Sequence, residues 1–252
     1  MRIQQIRNAT LKIEYGDVTF LIDPWLQDKG CGFSASTIIP EMAGIHNPMN
    51  DLPMPPEEIL QGIDYCLVSH VHPDHFTPNY LPKDMKFIVQ NADDKEKVQA
   101  YGLEQVVVLE QEMAFEHMTL IKTAGTHGDN PAVSLAMGKV SGFLFQGESK
   151  QLYIAGDTVF TEDVKKILVK YNPEVIVLNC CAATLPRGRL IMNLDDVGAV
   201  CKLCRDSTVI ATHLDSVNHA TLSSKDIRQY AQDNHLEKLI VPHNGEWIAL
   251  ML

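Results

Sequence analysis

Features that would place this protein at a membrane or on nucleic acid are scarce in its sequence. No apolar run approaches the roughly 18–20 residues needed to span a bilayer. The opening MRIQQIRNATLKIEYG alternates polar and apolar residues, without the apolar stretch of a signal peptide. Lysine and arginine together number 21 against 32 aspartate and glutamate residues, a formal net charge of −11. Without a basic cluster to offset it, that charge repels a phosphate backbone. These absences predict a cytoplasmic protein with no membrane and no nucleic-acid partner.

Cysteine is present but lacks any regular spacing. Cys201 and Cys204 have the C-x-x-C spacing of redox and zinc sites, but they lie in a predicted amphipathic helix with no second pair. We therefore expect reduced and mostly buried thiols at all six positions, Cys31, Cys66, Cys180, Cys181, Cys201 and Cys204. The sequence also contains no G-x-S-x-G motif. It shows neither a serine nor a cysteine nucleophile.

The composition is that of an ordinary globular protein with a sizeable core. Of the 252 residues, 45% are apolar and 21% are charged. No linker, low-complexity tract or internal repeat divides the chain, so we predict one domain over residues 1–252. A small molecule is the expected partner, and a homo-oligomer is compatible with the sequence.

Short β-branched and aromatic runs dominate the first half of the chain, whereas helical patterns alternate with strands in the second half. The early predicted strands are LKIEYG, VTFLID, DYCLVSH, KFIVQN, VVVLE, MTLIKTAG and VSLAMG, followed by a hairpin over SGFLFQGESKQLYIAGD. The later predicted helices are TEDVKKILVKY, NLDDVGAVCKLCRD and SSKDIRQYAQDN, each followed by an apolar strand. Asn193 and the serines that open the last helix are expected N-caps. The fold class is α/β.

One segment fits neither pattern. Residues 30–56 are rich in Gly and Pro and have no period. A long irregular stretch inside a compact domain is typical of a lid or a substrate-binding loop, and a solvated insertion is the alternative. Trp25 precedes the segment, and Phe33, Ile38, Ile39 and His46 lie within it as possible substrate contacts.

The densest group of titratable residues is H-x-H-x-D-H, directly after the apolar run YCLV. It comprises His70, His72, Asp74 and His75. Residues two apart in an extended chain point the same way, so His70 and His72 can approach one ion together. Pro73 turns the chain, and the last two groups can then face a second ion. Imidazole and carboxylate ligands suit Zn²⁺, Mn²⁺ or Fe²⁺.

Further ligands are expected where other strands end. His127, Asp157 and His213 each follow an apolar strand-like run, and strand ends converge at one edge of a sheet. His243 also follows such a run and is the alternative to His213.

Four other residues are candidates for supporting roles. Asp23 could hydrogen-bond a ligand histidine from behind or form an Asp-Pro turn. His219, six residues after His213, could contact substrate, orient a ligand or be an ordinary loop residue. Arg187 and Arg189 could bind a carboxylate or phosphate, or could be solvated.

The order H-x-H-x-D-H, distant His, Asp, final His resembles the metallo-β-lactamase superfamily. The stretches FLIDPWL, VSHVHPDHF, AGDT and THLDSVNH resemble its ascorbate-6-phosphate lactonase branch. The resemblance implies a four-layer αβ/βα sandwich and a site for two divalent ions, zinc or manganese, with iron as the alternative. It assigns His70, His72 and His127 to one ion and Asp74, His75 and His213 to the other. Asp157 bridges the two.

A two-metal site of this kind implies hydrolysis of a small molecule. Two neighbouring cations lower the pKa of a shared water from ~16 toward ~7, which yields hydroxide at neutral pH. Asp74 and Asp157 would orient that nucleophile. A lactone or related ester is the first predicted substrate and a phosphodiester the second. A di-iron redox protein or a non-catalytic metal-binding module is the rival interpretation, although His72 stands where the redox branch has glutamate.

Overall fold

The computed structural model describes residues 1–248 and 250 of the chain. Its strands are β1 Arg2–Arg7, β2 Thr10–Tyr15, β3 Val18–Ile22, β4 Tyr65–Val68, β5 Phe87–Val89, β6 Val106–Val108, β7 Glu112–Ala114, β8 Thr119–Ala124, β9 Ser141–Gln146, β10 Leu152–Ile154, β11 Val175–Asn179, β12 Thr184–Leu185, β13 Gly188–Arg189, β14 Thr208–Thr212, β15 Leu239–Ile240 and β16 Trp247–Ile248. Its helices are α1 Pro56–Leu60, α2 Ala92–Gln99, α3 Pro131–Met137, α4 Glu162–Tyr171, α5 Leu194–Leu203 and α6 Ser224–Asp233.

Alternate side chains of the central strands face two different cores. In β3, Phe20 and Ile22 pack in one apolar cluster, whereas Leu21 between them packs in another. Likewise, Val177 of β11 and Ile176 beside it lie in separate clusters. Both faces of these strands are buried, which explains why their sequences are runs of consecutive apolar residues.

The clusters define four layers. One joins the two large sheets, a second joins the first sheet to α1 and α2, and a third joins the second sheet to α4, α5 and α6. Within the described residues the first sheet has the order β16-β1-β2-β3-β4-β5-β6, and the second has the order β15-β14-β11-β10-β9-β8-β7. This arrangement confirms the predicted αβ/βα sandwich.

The strands that precede the candidate site run in the same direction. In the first sheet β3 pairs with β4 in parallel. In the second sheet β10, β11 and β14 are mutually parallel, and β8 is antiparallel to β9, which is antiparallel to β10. The carboxyl ends of β8, β10, β11 and β14 therefore meet at one edge.

The starts of α5 and α6 agree with the sequence prediction, whereas α3 replaces a predicted strand. Asn193 and Ser223 form capping boxes at the starts of α5 and α6. The stretch VSLAMG, predicted as a strand, lies in helix α3 instead. Asn130 caps the amide of Val133 and Pro131 occupies the first turn, so the local start signal outweighs the β-branched content of the run.

The irregular segment is held by hydrogen bonds rather than by regular structure, apart from a 3-10 turn at Pro40–Met42. At its base, the fully buried Arg7 donates to the carbonyls of Trp25, Gln27 and Asn50 at 2.7–3.1 Å. Desolvation lowers the pKa of Arg7 to about 10, although the nearby carboxylates of Asp51 and Asp28 act to raise it. Arg7 thus ties both ends of the segment together.

Two further sequence expectations concern the molecule as a whole. All six cysteines are free thiols, and Cys66, Cys180, Cys181 and Cys204 are buried, but Cys31 is exposed. Burial raises the pKa of the Cys201 thiol to about 11. Among the described residues, the helices are too short or too polar to cross a bilayer.

Candidate metal centre

Seven side chains from the ends of four strands meet in one buried cluster. The loop after β4 supplies four of them, and the residues that follow β8, β10 and β14 supply one each. They are His70, His72, Asp74, His75, His127, Asp157 and His213, the set that the sequence predicts. Their ligand atoms form three overlapping groups, His70–His72–His127, His70–His75–Asp157 and Asp74–His75–His213, each with its atoms within 4.8 Å of one another.

The distances within the cluster suit shared ions. His70 Nε2 lies 2.9 Å from His72 Nδ1, and His75 Nε2 lies 3.2 Å from His213 Nε2. Two nitrogens bound to one zinc ion at ~2.0–2.1 Å in tetrahedral geometry are about 3.3 Å apart. Asp74 Oδ2 lies 3.3 Å from His213 Nε2. The donor atoms already stand at ligand-to-ligand spacing.

Asp157 occupies the centre of this arrangement. Its Oδ2 atom lies 3.1 Å from His75 Nε2, 3.6 Å from His127 Nε2 and 4.0 Å from His70 Nε2. Its Oδ1 atom accepts a hydrogen bond of 2.7 Å from Asn179, the last residue of β11. With one oxygen held by Asn179, the other is fixed between the two groups of histidines, the position that a bridging ligand needs.

Acceptors behind the cluster fix which nitrogen faces inward in three of the histidines. His75 Nδ1 donates to Asp23 Oδ2 at 2.8 Å, and His127 Nδ1 donates to the carbonyl of Leu190 at 3.1 Å. His70 Nδ1 lies 3.0 Å from Ser69 Oγ, which in turn donates to Asp23 Oδ2. A ring that donates from its outer nitrogen keeps a lone pair on the inner one, as a metal ligand requires.

Electrostatics divide the cluster into two halves. Burial lowers the pKa of His72 to about 4 and that of His70 well below its usual value, so these rings are neutral. Burial also opposes a charge on His75, but the carboxylates of Asp157 and Asp23 raise its pKa to about 10. Without an ion, the carboxylates therefore draw positive charge onto the histidines. Divalent ions supply that charge, so the residues fit a two-metal site.

One cluster residue and one residue that supports the cluster have left-handed backbone. Asp23 has φ of 44° and His213 has φ of 62°, a region that costs a non-glycine residue energy and is often found at functional sites. The amide of His213 donates to the carbonyl of Asn8 at 3.0 Å, and the amide of Asp23 donates to that of Leu67 at 2.9 Å. These bonds hold both residues in place.

The cluster opens into a cavity of about 200 Å³. Its walls are mainly apolar and include Phe33, Ala35, Pro73, Met137, Leu185 and Leu190. His219 also lines it, next to five of the cluster residues. In the described part of the chain, neither lysine nor arginine contributes to this lining.

Four sequence candidates lie away from the cavity. His46 is exposed and its Nδ1 contacts the carbonyl of Gly32 at 2.7 Å. Arg187 is exposed at the turn between β12 and β13, whereas Arg189 pairs with Asp196 at 2.6 Å. His243, the alternative to His213, is exposed beside Arg228 at 3.4 Å. His46, Arg187 and His243 are exposed to solvent, and Arg189 is held by Asp196, so their side chains are drawn away from the cavity.

Sequence reasoning missed the residues that orient the cluster. Asn179 and Ser69 are polar residues at the carboxyl ends of otherwise apolar runs, which is the signal that could have identified them. Asn8 donates to the backbone carbonyl of Asp74 at 3.1 Å and lies 3.2 Å from His213 Nε2. No pattern in the sequence marks Asn8, because it lies in the turn between β1 and β2, 66 residues before Asp74.

Comparison with known proteins identifies the family. Residues 19–214 match the family model described as the beta-lactamase superfamily domain. The chain is 38% identical to the UPF0173 protein YddR of Bacillus subtilis (strain 168), over 98% of each chain. The chain belongs to the UPF0173 family of this superfamily. Another member, from Methanocaldococcus jannaschii, is described as a metal-dependent hydrolase and is 26% identical over 82% of this chain and 91% of its own.

Solved structures resemble this UPF0173 chain over nearly its whole length. A possible metal-dependent hydrolase from Veillonella parvula DSM 2008 superposes with a TM-score of 0.93 at 34% identity, covering 99% of both chains. An isothiocyanate hydrolase from Delia radicum gut bacteria superposes with a TM-score of 0.92 at 33% identity, also covering 99% of both. The superfamily prediction is confirmed, and the family is one of metal-dependent hydrolases; the lactonase branch stays a prediction.

Proposed function

We propose that this protein is a two-metal hydrolase of small, uncharged carbon electrophiles, with an isothiocyanate as the first substrate class. One observation carries the proposal: the seven-residue cluster opens into a small apolar cavity whose lining, in the described residues, contains no cationic side chain. The likeness to an isothiocyanate hydrolase at 33% identity supports it. A lactone without charged groups is also small and uncharged, and it is the second candidate.

The apolar walls decide what can bind. Phe33, Met137, Leu185 and Leu190 can pack against a hydrocarbon substituent and exclude water around it. A phosphodiester or a phosphorylated lactone would lose hydration there without gaining a cationic side chain, since Arg189 is already paired with Asp196, so only the bound ions would balance its charge. The cavity therefore favours an uncharged group beside the cluster.

The protein's own residues then hold the reacting groups. His70, His72 and His127 would bind one ion and Asp74, His75 and His213 the other, with Asp157 between them. Such ions, when bound, supply Lewis acidity and lower the pKa of water. Asp74 and Asp157 can accept hydrogen bonds from the attacking water and hold it toward the cavity. An isothiocyanate and one water give an amine and carbonyl sulfide.

The proposal is tested by supplying the purified protein with zinc, manganese or iron and measuring amine release from benzyl isothiocyanate. δ-Valerolactone and bis(4-nitrophenyl) phosphate serve as the competing substrates. We expect turnover of the isothiocyanate, weaker or comparable turnover of the lactone, and little of the phosphodiester. Asp157→Asn should abolish turnover, whereas Asp163→Asn, at an exposed ion pair with Lys166, should not. Preference for the phosphodiester would overturn the proposal.

A further inference from the structure

His219 is a polar side chain in the cavity wall that lies outside the metal cluster. The residue is only 5% exposed, and its ring lines the cavity together with His72, Asp74 and His213. The remaining lining outside the cluster is apolar. A substrate bound there would therefore meet one hydrogen-bonding side chain besides the cluster itself.

One nitrogen of the His219 ring is buried without a hydrogen-bond partner in the described part of the chain. Within the described residues, its Nδ1 atom is shielded from solvent and makes no hydrogen bond. A buried N–H without an acceptor is rare and costly, whereas an unpaired acceptor nitrogen is tolerated better. The neutral ring then carries its hydrogen on Nε2, the nitrogen through which it can meet the cavity.

The surroundings hold this ring firmly in place. The amide of Thr184 donates to the carbonyl of His219 at 2.9 Å. The preceding residue, Asn218, is fully buried and exchanges hydrogen bonds with Asn47 in the irregular segment. Phe33 faces the imidazole with ring centroids 6.3 Å apart. A donor fixed in this way needs little reorganisation when a substrate binds.

We propose that His219 is a catalytic residue that donates a hydrogen bond from Nε2 to the substrate heteroatom on which negative charge develops. In an isothiocyanate, attack by water oxygen forms a C–O bond and breaks one π bond of the N=C=S group. Both protons of the water end on the substrate nitrogen, and the C–N bond then breaks to release the amine and carbonyl sulfide. The electron pair of the π bond that the attack breaks moves to nitrogen or sulfur, the atom that His219 would stabilise. In a lactone the corresponding atom is the carbonyl oxygen. This inference rests on the proposed function.

The first test compares His219→Phe with His219→Gln in the metal-loaded protein. Phenylalanine keeps a ring but removes the donor, so kcat/KM for benzyl isothiocyanate should fall about 100-fold or more, mainly through kcat. The amide of glutamine can place an N–H near the position of Nε2, so it should restore at least part of the loss. His243→Phe, at an exposed histidine outside the cavity, is the control and should behave as wild type.

Metal content separates this role from a structural one. Both His219 variants should retain the metal equivalents of the wild type. A His219→Phe variant within twofold of wild type overturns the inference, and so does one that loses activity only because it loses metal. A wild type inactive on both electrophiles overturns the proposed function itself, which distinguishes the two failures.

A spectroscopic measurement on the unmodified protein tests the donor directly. In ¹⁵N-histidine-labelled protein, the ring signals of His219 are assigned as those absent from His219→Gln. We expect the tautomer with hydrogen on Nε2 at neutral pH. A hydrogen on Nδ1 instead, or on both nitrogens, contradicts the argument whatever the activity of the substituted proteins.

Discussion

In four of the five ligand histidines, the inward-facing nitrogen is selected by the contact that the outer nitrogen makes. Asp23, Ser69 and the carbonyl of Leu190 hold three of the rings, and the thiol of Cys181 lies 3.4 Å from Nδ1 of His213. Rotation of any of these rings would break a buried contact. The ligand atoms are therefore placed before any ion arrives, which favours binding because less ordering is required.

The choice between His213 and His243 gives the first prediction at this scale. His213→Ala removes a donor from the Asp74–His75–His213 group, so elemental analysis should show a loss of one metal equivalent relative to wild type. His243→Ala removes an exposed ring and should leave the content at about two equivalents. Metal loss in His243→Ala alone would contradict the assignment.

Asp23 gives the second prediction at the residue scale. Its carboxylate accepts from His75 Nδ1, from the hydroxyl of Ser69 and from the amide of Ser69, at 2.7–2.8 Å. Asp23→Ala leaves these donors unpaired and frees the His75 ring, so metal affinity should fall about 10–100-fold. Isothermal titration with the preferred metal measures it. Asp17→Asn, at an exposed ion pair with His117, serves as the control, and equal affinities in the two variants would refute the role.

At the scale of whole elements, the middle of the irregular segment is anchored by one side chain from the loop after His213. Asn218 Oδ1 accepts from the amide of Ala35 and the side chain of Asn47, and its Nδ2 donates to the carbonyls of Ala35 and Met42, at 2.9–3.1 Å. These bonds connect the segment that carries Phe33 to the loop that carries a predicted metal ligand. The cavity wall and the metal centre thus share one anchor.

Asn218→Ala should loosen that wall. The change leaves buried backbone and amide groups unpaired, and the free energy of unfolding should fall by about 2–3 kcal/mol. Limited proteolysis with mass spectrometry should show new cleavage between residues 33 and 47, and KM should rise more than kcat falls. Asn234→Ala, at the exposed end of α6, should show neither effect. Unchanged proteolysis of Asn218→Ala would mean that other contacts hold the segment.

Elements with a local signal were predictable from the sequence, and those that depend on distant contacts were not. The H-x-H-x-D-H run, the strand ends and the caps at Asn193 and Ser223 are encoded within a few residues. The sequence does not predict helix α3, because the apolar run after its start signal, Asn130-Pro131, is also typical of a strand. Asn8 and Asn218 act across more than 65 and 170 residues respectively, so no local pattern reveals them.

For the molecule as a whole, the metal centre lies between two sheets and joins them. His70–His75 follow the first sheet, whereas His127, Asp157 and His213 follow the second. An ion that binds ligands from both sides would therefore stabilise the contact between the sheets as well as the loops. Because the unfolded chain has no such site, the free energy of metal binding adds to the free energy of unfolding.

Removal of metal should therefore lower the melting temperature. At a free metal concentration 100 times Kd, binding adds about 2.7 kcal/mol per site, which for a chain of this size corresponds to roughly 5–10 °C. Differential scanning calorimetry before and after treatment with EDTA, and again after metal is restored, measures this shift. Asp157→Asn should show a smaller shift because the shared ligand of both ions is weakened, while Asp163→Asn should match the wild type. An equal melting temperature with and without metal would mean that the folded protein binds metal no more tightly than the unfolded chain, and would contradict the assignment of the cluster as a metal centre.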